Sequence, residues 1–430
     1  MRVPVETSAN PTPARSPMGP IFLTIFISMI GFGIVIPVLP VYAKSEPFKL
    51  GPTELGWLVG IFSLVQLFSG PIIGKISDRV GRKPVLLVSI IGTAIGYFIT
   101  GGASAAWMLF LGRIIDGGSG GNIATAQACI ADVTPPEQRS RAMGQIGAAF
   151  GLGFILGPAI GGLLSLYSPS LPFYFAGALS VLNAVLVWRR LPETLTAEKR
   201  LHPKEASPLR EVFAEGRGRF IGLLLAATLL STTGFAFIHL LFALFCQDHL
   251  RYDMRHTSYA FAYVGFIAVL VQGGLLRRLP MDRIEKPVAA LGAILLAISL
   301  YLLPRADTTG SFLWVTALMA LGNGLLVPTL TGMASRHVHG RAQGRVLGLN
   351  ASAGALGRFL GPALAALPLP AAFSDWARPL APDVLAIANH SYTVAFSASA
   401  GIMVVAFLII LAMKPLDFKT PGEDTGVATA

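Results

Sequence analysis

Charge is what this sequence has least of. Lys, Arg, Asp and Glu make up 13% of its 430 residues, against roughly 25% in soluble domains. Apolar residues reach 53%, and the mean hydropathy is +0.65. That balance excludes the two or three soluble domains the length would otherwise suggest. Cysteine is nearly absent as well. Cys129 and Cys246 fall near the ends of predicted helices on opposite sides of a membrane, so neither a disulfide nor a metal framework is expected. The chain lacks a nucleophile–base arrangement and metal-ligand spacing, so no enzyme, metal or cofactor is expected. His337 and His339 are loop residues rather than a ligand set. There is no Walker motif, and Gly118-x-Gly120 and Gly151-x-Gly153 lack the strand–turn–helix context of a nucleotide loop. ATP is therefore not the expected energy source. The net charge of +11 would suit nucleic acid. The charges instead sit in short clusters between long apolar runs, with no basic face, and no nucleic-acid partner is expected.

What is abundant is apolar sequence in lengths that fit a bilayer. A hydrocarbon core of ~30 Å needs about 20 helical residues. Twelve such runs are readable, near 20–42, 54–74, 84–104, 106–131, 141–166 and 171–189, then near 219–247, 257–277, 286–304, 311–335, 342–367 and 388–413. The run at 342–367 is interrupted by Arg358. Residues 1–19 are polar and Pro-rich and read as a cytoplasmic N-tail before a retained first helix. Residues 20–189 read as one six-helix bundle and 219–413 as a second. Between them, 190–218 is a polar linker carrying Lys199, Arg200, Lys204, Glu205, Arg210 and Glu211, and 414–430 is a C-tail.

Orientation follows from the basic residues, which concentrate in cytoplasmic loops. With an even number of helices both termini share a side. That side carries 25 Lys and Arg, the other carries 6, and two arginines lie inside helices. Both termini of this multi-pass chain are expected in the cytoplasm.

The two halves repeat. A shift of 204 residues lays Asp78-Arg79 on Asp282-Arg283, Arg82 on Lys286, Gly118 and Gly120 on Gly322 and Gly324, Gly144 on Gly348, and Gly157-Pro158 on Gly361-Pro362. One offset without a gap serves five separate places. Paired repeats are a common transporter plan, with the substrate held near the midplane between them and alternating access produced by rocking one half against the other.

Three motifs carry a family resemblance. Gly74-Lys75-Ile76-Ser77-Asp78-Arg79-Val80-Gly81-Arg82-Lys83, after the second helix, resembles the loop signature of the major facilitator superfamily. There Gly74 is expected to let another helix approach, and Asp78 to cap helix 3 or pair with arginines. Gly81 is expected to allow a tight turn, and Arg82 and Lys83 to hold the loop at the anionic leaflet. Gly153-Phe154-Ile155-Leu156-Gly157-Pro158-Ala159-Ile160-Gly161-Gly162 is similar to the antiporter motif of drug:proton exporters, with small residues for close helix contact and Pro158 to bend the helix. Gly31-Phe32-Gly33-Ile34-Val35-Ile36-Pro37 resembles the first helix of the twelve-helix drug exporters, tetracycline exporters included. Ser28, Met29 and Ile30 stand where those exporters often carry an acid. The resemblance implies an all-α membrane protein of twelve transmembrane helices in two pseudo-symmetric six-helix bundles. It also implies a monomer in the lipid bilayer that exchanges a small-molecule substrate for protons.

Charges inside the helices are the candidates for function, because intramembrane charge is costly and usually faces a cavity. Arg113-Ile114-Ile115-Asp116-Gly117 is similar to the family's fourth-helix motif. Arg113 and Asp116, three apart, share a helix face. The arginine pulls the carboxyl toward its charged form and burial pulls it toward the neutral one. A proton carrier, a structural ion pair and a substrate contact are all consistent with that spacing. Arg358 could face Asp116 across a cavity, hold an anionic substrate group, or snorkel. His239 could titrate or pack. Gln66, Asn122, Gln127, Asn183, Asn323 and Asn350 are helical amides for substrate or for neighbouring helices. Phe26, Phe32, Phe62, Phe235 and Phe242 are wall or packing residues. The leading expectation is proton-coupled efflux of lipophilic or amphipathic compounds, through a cavity of Arg358, Gln127, Asn122, His239, Phe32 and Phe235. The alternative is carriage of an anionic metabolite or lipid on Arg113 and Arg358. The proton pair aligns with Ala317 and Ala320 in the repeat, so function is expected where the repeat fails.

Overall fold

The computed structural model describes residues 18–134, 139–195, 213, 217–337, 341–369 and 382–413. The described residues form helices and no strand. In chain order they are α1 (Met18–Lys44), α2 (Pro52–Val80), α3 (Arg82–Gly101), α4 (Ala106–Gly118), α5 (Asn122–Val133), α6 (Arg139–Ser165) and α7 (Leu171–Arg190). After the linker come α8 (Arg217–Asp248), α9 (Met254–Leu270), α10 (Met281–Leu302), α11 (Thr309–Arg336), α12 (Arg341–Ala365) and α13 (Pro382–Ala412). Nine of the described helices are long and apolar enough to cross a membrane. Both tails and most of the 190–218 linker lie outside the described residues.

Two of the expected runs are not single α-helices. The run at 106–131 is split into α4 and α5 by Ser119–Gly121. Gly117, Gly118, Gly120 and Gly121 crowd that point, and glycine is a poor helix former. The freed carbonyls find partners on α2: Ser69 Oγ donates to Gly117 O at 3.0 Å and Gln66 Nε2 to Gly120 O at 3.0 Å. A Cβ on Gly117 would lie 2.4 Å from Phe62 O, so α2 and the break are packed backbone to backbone. The run at 257–277 passes into a π-helical turn at Val271–Leu275, which contains Gly273 and Gly274. By contrast α12 continues unbroken through Arg358. At the start of α9, Asp253 accepts from His256 N at 2.8 Å, and His256 holds its carboxyl below the usual carboxylate range.

Close helix contact in the first half is made by the glycines of the antiporter-like motif. Cβ atoms at Gly153, Gly157 and Gly161 would strike the α1 backbone around Met29, Gly33 and Ile34, at 157 within 2.7 Å of Gly33 Cα. A Cβ at Gly162 would strike Ser258 Oγ of α9 at 1.8 Å, so one face of α6 serves α1 and a neighbouring glycine serves the other half. In the second half Gly357 and Gly361 bring α12 equally close to Leu229, Thr233 and Ala236 of α8. Gly157→Val therefore forces α1 and α6 apart. Overpacking of this kind costs about 1–3 kcal/mol or more. The expected result is a lower melting temperature and loss of a monodisperse peak in detergent, whereas Gly222→Val, with nothing within 4 Å, should leave both unchanged.

The basic end of the bundle is tied by ion pairs within each half. Gly81 has φ 121°, a backbone state that only glycine adopts freely, and turns α2 directly into α3. Arg82 bonds Asp78 at 2.6 Å and Asp132 of α5 at 2.9 Å. The Glu193 carboxylate accepts from Arg82 N and Lys83 N, capping α3. The 204-residue shift carries Asp132 onto Arg336, and Arg336 pairs with Glu285 at 2.5 Å, with His337 3.1 Å from the same carboxylate. The second half thus ties its basic end with a different pair, since the shift lays Glu285 on Gly81 rather than on Arg82.

The two ends of the bundle differ. At the end opposite the basic loops the halves interlock. Cβ atoms on Gly56 and Gly60 of α2 would strike Pro362 O and Phe359 O of α12 at 2.7 and 2.9 Å. Toward the basic end, Gly70 and Gly74 of α2, Gly273 and Gly274 after α9, and Gly348 of α12 face open space. The expectation that Gly74 admits a neighbouring helix is corrected by that openness: nothing lies within 4 Å of it.

Candidate functional site

Where the two halves meet, between the tight end and the open end, Phe32, Val35, Ile36 and Leu39 of α1, Val59, Phe62 and Ser63 of α2, Arg113 of α4, His239 of α8 and Arg358 of α12 enclose a cavity. Its volume is ≈ 30 Å3, room for two or three waters at ~10–15 Å3 each. A drug-sized molecule needs this space enlarged by movement of the helices.

The cavity wall is apolar and aromatic, with charge at two points. α1 supplies the apolar side because it is apolar all round, with no charged side chain between Met18 and Lys44. The Phe32 and Phe62 rings stand 5.9 Å apart. Arg113 Nη1 donates to Asp116 Oδ2 at 3.0 Å, its guanidinium lies 4.5 Å from the Phe62 ring centroid, and both charged side chains are at most 6% exposed. Arg113 Nε is buried and has no hydrogen-bond partner among the described residues. Leaving such a donor unmet costs about 1–3 kcal/mol. Asp116 does not reach the cavity wall. It turns toward α3, where its Cβ lies 3.1 Å from the place a Gly96 Cβ would take. Arg113 thus stands between the carboxylate and the cavity.

Arg358 approaches from the other half. Its Nη2 donates to Gln66 Oε1 at 3.4 Å, and Gln66 is oriented by its own bond to Gly120 O. No carboxylate lies within 4 Å of Arg358 among the described residues. Arg358 therefore meets the Gln66 amide rather than Asp116, because Asp116 is turned to α3. Two guanidiniums face this space against one carboxylate.

Of the other sequence candidates, His239 is in the wall and Phe235 stands edge-on to it at 6.1 Å. Phe242 is buried among Phe261 and Phe312, away from the cavity. Phe26 packs with Phe22. Asn122 donates weakly to Ser28 at 3.4 Å, and its carbonyl accepts from Ile123 N. Asn183 reaches the Thr24 carbonyl, and Asn350 accepts from Thr228. Gln127 is exposed on α5. These amides are not brought to the cavity in this state. In the loop motif, Arg79 is exposed, but Arg82 is consumed by Asp78 and Asp132, and Lys83 donates to Trp188 O at 2.8 Å. The leaflet role expected for Arg82 is corrected accordingly, because two carboxylates claim its buried side chain. Cys129 and Cys246 are buried free thiols. Phe32 is in the wall as expected, whereas Ser63 and the other α1 wall residues, Val35, Ile36 and Leu39, had no sequence signal as cavity residues, since a uniformly apolar helix does not reveal which face meets a cavity.

Comparison with known proteins bears on the family and the fold. The family model described as Major Facilitator Superfamily matches residues 21–362. The class E tetracycline resistance protein of Escherichia coli is 32% identical over 356 residues, covering 82% of this chain and 87% of that protein. The quinolone resistance protein NorA of Staphylococcus aureus (strain COL) is 29% identical over 351 residues, covering 80% and 88%. Among solved structures, a bacterial homolog of the human lysosomal transporter Spinster, in an inward-facing and unoccupied conformation, superposes with a TM-score of 0.74 at 17% identity, covering 95% of this chain and all of that one.

Proposed function

The chain belongs to the major facilitator superfamily, and from that premise we propose that it is a proton-coupled exporter of amphipathic compounds, the tetracyclines and quinolones named for its relatives among them. Its two bundles, 20–189 and 219–413, alternate access around the cavity. The basic end and both termini lie in the cytoplasm, in a cell inner membrane, which makes the described state inward-facing.

The observation that carries this reading is the Arg113–Asp116 pair set behind an aromatic wall. With Asp116 ionised, Arg113 is held by its partner. Protonation of Asp116 removes that partner's charge and leaves the cavity one unit more positive. A cationic or uncharged amphipath and this added charge disfavour each other, the first by repulsion and the second because the released guanidinium needs the space and the acceptors. Proton and substrate then occupy the site in turn, and an inward proton gradient drives outward transport. For a net anion the sign reverses, since proton and anion would attract and travel together.

The test is transport in proteoliposomes with an imposed pH gradient, using a tetracycline, a quinolone and a small organic anion. Gradient-driven movement of either antibiotic against the proton flux is expected. Movement of the anion alone, in the direction of the protons, would replace this reading with anion carriage on Arg113 and Arg358.

A further inference from the structure

Most ion pairs among the described residues lie within one half; one crosses between them. Lys44 Nζ, at the last residue of α1, lies 3.5 Å from Asp248 Oδ1, at the last residue of α8. Their side chains are 10% and 9% exposed. The separation in sequence is 204 residues, the offset of the repeat. The two residues therefore occupy the same place in each half, directly across the pseudo-twofold axis, with opposite charge. Tyr392 of α13 donates to the other carboxylate oxygen, Oδ2, at 2.5 Å, and the Tyr392 ring is itself edge-on to Phe245 at 5.6 Å. On the α1 side, Tyr42 packs against Phe48 and Phe173, each with centroids 5.0 Å away. The pair is thus shielded by aromatic rings, where charge attraction is stronger than at a wet surface.

We propose that Lys44 and Asp248, with Tyr392 as the positioning hydroxyl, form the latch that holds the outer gate shut. The argument is geometric. Rocking the two halves to open the outer end must separate equivalent positions across the axis, and this pair sits at such positions. The tight α2–α12 contacts at Gly56 and Gly60 lie at the same end, so the pair closes the end that is already packed. In the outward-open state both charges meet water, so separation is reversible and the latch biases an equilibrium rather than locking it. The proposal rests on the alternating-access reading but needs neither proton coupling nor a particular substrate.

The experiment reads the gate directly. In a Cys129→Ala/Cys246→Ala background, a single cysteine is placed at the cavity wall by Ile36→Cys. Intact cells are treated with a membrane-impermeant maleimide, with no substrate present. Lys44→Met or Asp248→Asn is expected to raise the labelling rate about tenfold, a shift within the usual range of a coupling between sites. Tyr392→Phe should raise it less. The charge swap Lys44→Asp/Asp248→Lys should return the rate toward that of the parent. Unchanged labelling in the single variants, or a swap that labels as fast as they do, overturns the proposal. Should a single variant fail to fold, Lys44→Cys/Asp248→Cys bridged by a short bifunctional reagent with a cleavable disulfide supplies the second measurement. Transport should stop when bridged and return on reduction, and full transport by the bridged protein overturns the latch. Because labelling is read without substrate and reports accessibility rather than transport, its failure is distinguishable from failure of proton-coupled export.

Discussion

Asp116→Asn is expected to abolish gradient-driven export while sparing exchange of substrate for substrate at equal pH. Asparagine has nearly the shape of aspartate and its carbonyl can still accept from Arg113 Nη1, now 3.0 Å from Asp116 Oδ2, so the α4 turn and its packing on Gly96 are kept. What is lost is the ability to gain and release a proton. The cavity is fixed in the more positive state that otherwise exists only after protonation. Without proton exchange a pH gradient does no work on the substrate, so the accumulation it drives should be lost altogether. The dependence of transport on pH that Asp116 supplies should flatten at the same time. The measurement is paired: uphill efflux under an imposed gradient, and counterflow without one. Efflux that persists with an unchanged pH profile removes Asp116 from the coupling path. Loss of both activities with intact protein would mean that the Arg113–Asp116 pair builds the site rather than couples it.

How much of this arrangement could be read from the chain depends on whether a signal is local. The apolar runs are local, and most of the described helices begin and end near them. The Gly74–Lys83 loop is local too: Gly81 occupies the backbone state that its position between two helices implied. Arg113 and Asp116 were legible because a three-residue spacing in a helix fixes a shared face. What could not be read is which neighbour claims a polar group once helices pack. Glu193, 111 residues away, caps α3 and looks like an ordinary linker acid in the sequence. Asp132 takes Arg82 away from the lipid surface for the same reason. The α4–α5 break is an intermediate case. The four glycines around Ser119 were visible, but the break is stable only because Gln66 and Ser69 of α2 meet the freed carbonyls, which is a tertiary fact. The repeat was more informative than any single motif. It lays the scaffold glycines of the two halves in register, and the same offset joins Lys44 to Asp248.

Arg358 gives the second large effect, because it is the charge without a carboxylate within salt-bridge reach among the described residues. Its guanidinium donates to the Gln66 amide at 3.4 Å, a long and neutral hydrogen bond. Two guanidiniums and one carboxylate leave the site with a positive excess when His239 is neutral, and a positive excess penalises cationic substrates. Two unit charges some 7 Å apart repel by about 2 kcal/mol at an effective dielectric constant of ~20. Recovering most of that, about 1.4 kcal/mol, is a tenfold change in an equilibrium constant. Arg358→Gln should therefore lower KM for a fluorescent lipophilic cation about tenfold and raise it for an amphipathic anion by a similar factor, with an uncharged compound of the same size little affected. Arg358→Lys keeps the charge and should preserve the ranking of the three. The opposed shifts separate an electrostatic filter from a packing role, since a merely damaged wall would weaken all three compounds together. Equal loss for cation, anion and neutral compound would assign Arg358 to helix packing through Gln66. An Arg358→Gln variant that improves the cation would make this one residue, contributed by the half that lacks the proton pair, the filter for substrate charge. Coupling and selectivity would then lie on opposite sides of the same cavity, one in each half, at the two places where the repeat does not hold.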